Sequence, residues 1–533
     1  MSGSGVETSH ARAPGASAQA QGERANVGVE HWAEARPDEI ALIEDDRSLT
    51  WRQLNILSDA VAEALSQQGV AAGDVVAVRT HIRIEWAIID LALSKIGCRL
   101  LGLNWRLTPG EVAGIISDSG ARALFFDDSD PAPLLDAVVS IPSLTLVGID
   151  YSGDKASTLS DMLDIAAPTR IAKAPAPLVI YTSGTTGRPR GVVIAPRPGA
   201  EQAFAEYQAD VAQHGAQVAG DVVLVTMPMS HAIGPAIVRA AEALGNRMII
   251  LRRFDPEEVL RLIDAYRVSF WTGVPTMFKR LAALPAEAFV DRDLSSIRVL
   301  SVGGAPTTTS LKQWINATFG PCLYEGYGAS EVGMVTALPP GMDSDRPGSC
   351  GRPFRHVEIS VRGTDGSPLA PGEIGEIWVR SPLAINGYLN APPLSPEDLD
   401  VEGFFRVGDV GRIDEQGYLY LVDRSKDLIV AGGVNIYPAE VEAALLKHPA
   451  IQDAAVIGIP DDDFGERVKA FCEVKPSHSV DEAEILQHCR RHLASYKCPR
   501  SVEIIDELPR NAMGKVLKRN LRQPYWEGQE RSI

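Results

Sequence analysis

The chain has 533 residues, 45% of them hydrophobic, so it is long enough for several domains with large cores. Lys and Arg number 51, and Asp and Glu number 69, which gives a formal net charge of −18. This excess of negative charge repels polyanions and argues against nucleic acid as a partner. An anionic ligand would need a local device, such as backbone amides, a metal ion or a well-placed lysine.

The cysteines and the N-terminal segment indicate where the protein works. The six cysteines form no CxxC pair and no zinc-like grouping with histidine, which predicts a cytoplasmic location. Residues 1–28 are rich in Ala, Gly and Ser and lack the apolar stretch of a secretion signal, so we interpret them as a disordered leader. No uncharged apolar run reaches the roughly 18 residues of a membrane-spanning helix, so no integral membrane segment is expected.

From Trp51 to about residue 304, stretches with helical periodicity alternate with short apolar runs. The helical pattern is clearest in WRQLNILSDAVAEALSQQG, which begins at Trp51. The runs that predict strands are VVAVR, ALFFD, LVIYTSG, DVVLVTMPM, MIIL, VSFWTGVP and IRVLSVGG. Alternation of this kind predicts mostly parallel sheets covered by helices.

The pattern changes between Gly348 and about Asp423, where short strand-like segments (VEISV, GEIWV, YLYLV) are separated by Gly, Pro and Asp. This spacing predicts a small antiparallel sheet or barrel. The α/β pattern then returns for about 110 residues, which is the size of a small separate domain. We therefore predict an α/β protein with a leader at 1–28, a large domain of two helix-covered sheets plus a small antiparallel barrel at 29–425, and a small α/β domain at 426–533.

The strongest local motif is LVIYTSGTTGRPRGVVI, residues 178–194, in which an apolar strand runs into glycines interleaved with hydroxyl side chains. Glycines let backbone amides approach a phosphate, and hydroxyls donate to its oxygens. No GxxxxGK[ST] occurs in the chain, so this is not a Walker A loop. Taken alone, the segment is equally well explained as a solvated turn.

This motif resembles the YTSGTTGxPKG nucleotide loop of the adenylate-forming superfamily, which includes acyl-CoA synthetases, peptide synthetase adenylation domains and beetle luciferase. Arg190 stands where the family usually has lysine, so a planar guanidinium replaces a compact ammonium. Because of this departure, an alternative is an enzyme that forms acyl-AMP weakly and mainly transfers the acyl group of a pre-formed acyl-AMP to coenzyme A. The resemblance implies an ATP-binding loop made of Thr182, Ser183, Gly184, Thr185, Thr186, Gly187 and Arg190.

Two further segments resemble motifs of the same superfamily in the same order. PMSHAIG resembles the helix start at which a histidine, here His231, lies near the acyl carboxylate. SVGGAP resembles the segment that places Gly303, Gly304 and Ala305 beside adenine and the acyl pocket. Considered singly, a packed histidine and an ordinary strand-to-helix turn would be the commoner interpretations.

EGYGASE, residues 325–331, resembles the YGxTE motif. The resemblance implies that Tyr327 stacks on adenine, Ser330 bonds to the α-phosphate and Glu331 binds magnesium. One glutamate suffices for this role, because Mg²⁺ is typically bound by one or two carboxylates plus substrate phosphates. Glu325 and Gly328 belong to the same implied nucleotide site.

The segment from residue 406 to 442 carries the densest resemblance. Asp409 and Arg424 match the family's ligands for the ribose hydroxyls, and Lys426 matches the hinge about which the small domain moves. Gly432 and Gly433 match the loop that lines the pantetheine tunnel, where glycine lets the backbone approach a thin ligand.

LPRNAMGKVLKRNLR, near the C-terminus, places Lys515 at the position of the family's catalytic lysine. The resemblance implies that this lysine contacts the α-phosphate and the acyl carboxylate, and that it stabilises the charge that spreads in the transition state. The matches together run from about Thr50 to Lys518.

The resemblance predicts an AMP-forming acyl-CoA ligase that uses ATP, Mg²⁺ and coenzyme A. The acid is expected to be uncharged apart from its carboxylate, with an aliphatic, alicyclic or aromatic body, because residues 231–239, 273–278 and 325–334 are mainly small or apolar. A carrier protein in trans, an amine or oxygen are alternative acceptors, although the chain ends soon after the lysine motif. A homodimer is allowed. A non-catalytic acyl-nucleotide-binding protein is the alternative from another class.

Overall fold

The computed structural model describes residues 28–527, except 152, 184–188, 215–216, 306, 343–345, 433, 462, 477 and 512–513. The predicted leader, apart from Gly28, therefore lies outside the described residues, as do Gly184, Thr185, Thr186, Gly187 and Gly433.

The described helices and strands follow one another as α/β units in the first two thirds of the chain. Up to residue 194 they are α1 (Val29–Ala35), β1 (Ile40–Glu44), β2 (Arg47–Thr50), α2 (Trp51–Gln67), β3 (Val75–Arg79), α3 (Ile84–Ile96), β4 (Arg99–Leu103), α4 (Pro109–Ser119), β5 (Ala123–Phe126), α5 (Ala132–Val138), β6 (Thr145–Gly148), β7 (Ser157–Thr158), α6 (Leu159–Leu163), β8 (Leu178–Ser183) and β9 (Pro189–Ile194). From residue 201 to 353 they are α7 (Glu201–His214), β10 (Val222–Val225), α8 (Ile233–Leu244), β11 (Arg247–Ile250), α9 (Pro256–Tyr266), β12 (Phe270–Gly273), α10 (Pro275–Ala282), β13 (Val299–Val302), α11 (Thr309–Phe319), β14 (Leu323–Ala329), β15 (Gly333–Leu338) and β16 (Arg352–Pro353).

The remaining third contains short antiparallel strands and then a second α/β unit. Its elements are β17 (Glu358–Arg362), β18 (Gly375–Arg380), β19 (Phe405–Ile413), β20 (Leu419–Arg424), β21 (Ile429–Ala431), β22 (Val434–Ile436), α12 (Pro438–Leu445), β23 (Ile451–Asp461), β24 (Gly465–Val474), α13 (Glu482–His492), β25 (Ser501–Ile504) and α14 (Lys518–Trp526).

Local sequence signals explain where the principal helices begin. Thr50 precedes α2, its side chain accepts a bond from the backbone of Gln53, and the Gln53 side chain accepts one from the Thr50 backbone. Thr108 and Glu111 form the same reciprocal capping box at the start of α4. Each box satisfies two backbone donors that a helix start otherwise leaves unpaired. The predicted helix at Trp51 is thus confirmed with its boundary.

Two large sheets form the body of the protein. The first has seven strands in the order β7-β6-β5-β3-β4-β8-β9, and only its β8–β9 pair is antiparallel. The second has nine strands in the order β16-β15-β14-β13-β12-β10-β11-β1-β2, with parallel pairs from β14 through β1. The predicted pair of mostly parallel, helix-covered sheets is therefore confirmed.

The predicted small antiparallel element is present as the four-stranded sheet β17-β18-β19-β20. Within the described residues its edge strands β17 and β20 do not pair with each other, so the sheet is open rather than closed into a ring. The last part of the chain forms the two-stranded sheet β21-β22 and the three-stranded sheet β23-β24-β25, with its own apolar core. The predicted small C-terminal α/β unit is therefore observed.

Gly102 on β4 lets the two large sheets approach each other closely. A Cβ at this position would lie 2.6 Å from the carbonyl oxygen of Met229 and 3.0 Å from the Cα of Ser230. Both contacts are to backbone, which cannot swing aside as a flexible side chain can. Because Ser230 directly precedes His231, the absence of a side chain at residue 102 fixes the position of the histidine segment.

We expect Gly102→Ala to lower the free energy of unfolding by about 1–3 kcal/mol, because an inserted methyl group must push this backbone away. It should also lower the rate of any reaction that depends on His231. Gly114→Ala is the matched control, since a Cβ there meets nothing within 4 Å and the residue lies in α4. Denaturant unfolding should show that control to be neutral or slightly stabilising. Equal stability of the two variants would contradict this account of Gly102.

Candidate active site

The predicted ribose ligands Asp409 and Arg424 face each other across an antiparallel pair. The register of β19 and β20 aligns Asp409 with Arg424, and the Arg424 Nε lies 3.1 Å from an Asp409 carboxylate oxygen. The hydroxyl of Tyr327, at the end of β14, donates to the other Asp409 oxygen at 2.7 Å. Burial, followed by the charge of Asp409, holds the pKa of Tyr327 well above its usual range, so the hydroxyl stays a donor.

Glu331 lies in the turn between β14 and β15, next to the end of the phosphate loop strand. The hydroxyl of Thr182 on β8 is 3.5 Å from the Glu331 carboxylate. Burial raises the pKa of Glu331, which means that the carboxylate lacks full compensation for its desolvation. A divalent cation with phosphate ligands would supply that compensation, so this glutamate fits the predicted magnesium role.

The glycine segment that follows β13 packs against two other predicted motifs. Gly304 has φ +80°, a conformation that favours glycine. A Cβ on Gly303 would have the Gly326 carbonyl oxygen at 3.9 Å and the Ile233 side chain at 4.0 Å as its nearest neighbours. The segments SVGGAP, EGYGASE and PMSHAIG thus meet at one place, although they lie far apart in the sequence.

His231 lies two residues before Ile233, the first residue of α8. Its backbone N–H donates to the Pro228 carbonyl at 3.3 Å. Burial lowers the pKa of the imidazole, so the ring is neutral near pH 7. Glu325, also predicted for the nucleotide site, forms an ion pair with Lys312 of α11, and both side chains are nearly buried.

Arg190, the residue that departs from the family pattern, lies on β9 against an aromatic ring. Its guanidinium carbon is 5.1 Å from the ring centroid of Tyr388, within the range of a cation–π interaction. This contact could not be predicted from the sequence, because Tyr388 belongs to no recognised motif. Of the rest of the loop, Ser183 ends β8, while residues 184–187 lie outside the described residues.

Lys515 comes from the C-terminal domain and lies near the Asp409 cluster. Burial, together with the positive charges of Arg424 and Lys426, lowers the pKa of Lys515 to about 8, and the charge of Asp409 opposes this shift. Gly514, which directly precedes Lys515, lies against the Thr276 side chain of α10, so this part of the small domain contacts the large domain. The structure thus brings together the predicted groups of both domains.

The predicted hinge residue Lys426 lies in a single 3₁₀ turn, Ser425–Asp427, between the two domains. Its carbonyl accepts a bond from Arg522 of α14 at 3.3 Å, and Arg522 also pairs with Asp427 at 3.2 Å. Burial, and then the charge of Arg424, lowers the pKa of Lys426. The turn is therefore attached to the small domain on its C-terminal side.

Gly432 follows β21 in the turn that leads to β22 and has φ +58°. Its N–H donates to the Phe464 carbonyl at 2.8 Å, and a Cβ would lie 2.9 Å from the Phe464 ring. Both the positive φ and the close ring therefore require glycine here.

Comparison with known proteins identifies the family. The AMP-binding enzyme profile matches residues 29–389, and the profile of the AMP-binding enzyme C-terminal domain matches residues 440–515. The chain belongs to the AMP-binding enzyme family. The superfamily recognised from the sequence motifs is therefore confirmed, while the roles of single site residues and the exact domain boundaries remain predictions.

Relatives of this AMP-binding enzyme match it along nearly its whole length. A 3-[(3aS,4S,7aS)-7a-methyl-1,5-dioxo-octahydro-1H-inden-4-yl]propanoyl:CoA ligase from Mycobacterium tuberculosis is 34% identical and covers 91% of this chain and 96% of its own. The fatty acid–[acyl-carrier-protein] ligase ScoC of Streptomyces coeruleorubidus is 32% identical and covers 94% and 96%. The crystal structure of ATP-bound MatB from Rhodopseudomonas palustris has a TM-score of 0.81 at 29% identity, covering 93% and 99%.

The lowered pKa of Lys515 predicts a pH limit for acyl-AMP formation. The amine carries its proton below about pH 8 and loses it above, so the activity that requires the ammonium should fall as pH rises. The quantity to measure is kcat/KM for pyrophosphate release, because it reports the free enzyme.

In Lys515→Arg, whose guanidinium stays charged, this alkaline fall should move well above pH 9 even if the rate is lower. A profile that falls at the same pH in both proteins would mean that another group titrates.

Proposed function

We propose that this AMP-binding enzyme is an ATP-dependent acyl-CoA ligase that forms AMP. A carboxylic acid and ATP give an acyl-AMP and pyrophosphate, and the acyl group then passes to the thiol of coenzyme A. The observation that carries the proposal is that the C-terminal domain brings the Lys515 segment against the large domain, through Gly514 and Thr276, where the charges of Arg424 and Asp409 act on the lysine. A non-catalytic binding protein would not need this convergence of charged groups at one site.

The first half-reaction joins two anions, so it depends on positive charge and fixed geometry more than on proton transfer. Asp409 accepts from the ribose hydroxyls, and Tyr327 presents its ring to adenine while its hydroxyl holds Asp409 in place. Lys515 stabilises the charge that develops between the carboxylate and the α-phosphate. Glu331 would hold magnesium, which when bound neutralises phosphate charge.

The groups around His231 support an acid with an apolar body. Arg239 is the one Lys or Arg in residues 231–239, and its Nε donates to Asp90 at 2.8 Å. Since His231 is neutral near pH 7 as well, neither group offers a free positive charge to a second carboxylate. Burial of an apolar body would then supply most of the acyl binding energy.

Coenzyme A is the acceptor that we favour. The turn at Gly432 matches in sequence the loop that lines the pantetheine tunnel of this family, and the half-exposed ring of Phe464 packs against it. ScoC, named for transfer to an acyl carrier protein, shows that relatives of similar length use another thiol partner. A carrier protein presents its thiol on the same kind of pantetheine group, so a carrier protein is the second candidate for the acceptor. A homodimer and a cytoplasmic location are further proposals from the sequence.

Lys515→Ala should reduce acyl-AMP formation by about 10²- to 10³-fold, because one charged donor to the transition state is lost. Thioester formation from supplied acyl-AMP and coenzyme A should be largely preserved, since the lysine acts in the first step only. Pyrophosphate release and thioester yield measure the two steps separately.

Equal loss of both steps would contradict the assignment of Lys515 to adenylation. A wild-type protein that makes the thioester from acyl-AMP yet releases no pyrophosphate with any acid would instead be the transfer-only variant that Arg190 leaves open.

Incubation of the protein with ATP, Mg²⁺ and a broad acid library should yield CoA thioesters of apolar monocarboxylic acids, identified by mass. Parallel incubations contain coenzyme A or a carrier protein with its pantetheine group attached, so that the preferred thiol is determined directly. Products from dicarboxylic acids alone would contradict the argument from Arg239 and His231.

A further inference from the structure

Lys515 is carried by a hairpin whose shape is fixed by its own hydrogen bonds. Arg510 and Val516 pair as an isolated antiparallel bridge, and the Asn511 N–H donates to the Lys515 carbonyl at 2.9 Å. The Asn511 side-chain oxygen accepts from the Lys515 N–H at 3.0 Å. The orientation of Lys515 therefore depends on how this hairpin is held as a unit.

Arg510 at the base of the hairpin attaches it to the sheet of the small domain. Its guanidinium lies 2.8 Å from the Asp453 carboxylate on β23 and 3.0 Å from Glu473 on β24. It also donates to the Gly514 carbonyl at 3.2 Å, next to Lys515. These side chains are largely buried, so the hairpin and the sheet form one rigid body.

Asp453 also connects this body to the large domain. Its second carboxylate oxygen lies 3.1 Å from the ammonium of Lys279 on α10. Thr276, three residues earlier on the same face of α10, contacts the backbone position of Gly514 so closely that no Cβ could fit there. One face of α10 thus contacts both Asp453, which anchors the hairpin, and Gly514, which directly precedes Lys515.

We propose that Lys279 is a positioning residue for acyl-AMP formation. By pairing with Asp453 it holds the small domain against the large domain, and Arg510 connects Asp453 to the hairpin that carries Lys515. The inference rests on the proposed function and adds to it the contact that selects one orientation of the small domain. Within the described residues Lys279 pairs with Asp453, which is not a predicted substrate ligand, so we infer that it acts through the position of Lys515. Its ion pair must break whenever the small domain turns about Lys426 to present Gly432.

The Lys279–Asp453 ion pair is expected to be weak enough to break and form again as the small domain moves. The Lys279 side chain is 32% exposed and the Asp453 side chain 12%, so the pair is screened less than a surface pair and more than a buried one. Loss of such a pair should change the equilibrium between two orientations by about three- to tenfold.

The test compares Lys279→Gln with wild type in the two half-reactions. Pyrophosphate release at saturating acid and ATP should fall about three- to tenfold, while thioester formation from supplied acyl-AMP should stay equal or rise. Lys279→Arg, which can still reach Asp453, should restore pyrophosphate release. Lys155→Gln is the matched control, because Lys155 pairs with Asp136 at the same 3.1 Å within the large domain. It should change neither step.

A double-variant cycle isolates the pair itself. Asp453→Asn should slow pyrophosphate release, and adding Lys279→Gln to it should cause little further loss. Three outcomes would overturn the inference and leave the proposed function standing. They are losses in the two single variants that multiply in the double variant, an equal fall in both half-reactions, and no effect of Lys279→Gln. A wild-type protein inactive in both half-reactions would overturn the proposed function, and this inference with it.

Discussion

The site depends on holding three positive charges close together in a protein that is strongly acidic overall. Arg424, Lys426 and Lys515 lie near enough that Arg424 lowers the pKa of both lysines, and burial lowers each further. Asp409 offsets part of this repulsion. The arrangement becomes favourable when an anionic ligand joins it, so a chain with net charge −18 can still bind a nucleotide.

The same constraint explains why the site is divided between two domains. Asp409 and Arg424 precede the turn at Ser425–Asp427, and Lys515 follows it. A rotation at this turn would therefore move the charge of Lys515 without disturbing the proposed ribose ligands. Interfaces between domains of one chain are usually small and polar, and the partly exposed Lys279–Asp453 pair is consistent with this. A weak, polar contact would allow the change of orientation that we propose between the two chemical steps.

The sequence predicted those parts of the structure that follow from local patterns. The helix at Trp51 and the buried strands are recognisable because each signal lies within a few residues. The contacts of Arg190 with Tyr388, Gly102 with Met229 and Lys279 with Asp453 join segments that no local periodicity relates. They arise from the packing of whole sheets and domains, which a single sequence does not encode in any short pattern.

Arg190 illustrates how a departure from a family pattern can be compensated by its surroundings. An ammonium at this position would be a hydrated point charge on a flexible stem, whereas a guanidinium can lie over an aromatic ring. Tyr388 provides that ring, and the charge of Glu331 is close enough to help raise the pKa of the Tyr388 hydroxyl. Stacking thus holds the Arg190 charge over Tyr388, whose hydroxyl group is also within the electrostatic influence of Glu331, the proposed magnesium ligand. A cation fixed in this way supports our proposal of a complete ligase over a transfer-only enzyme, because it could stabilise the charge of the departing pyrophosphate as a lysine would.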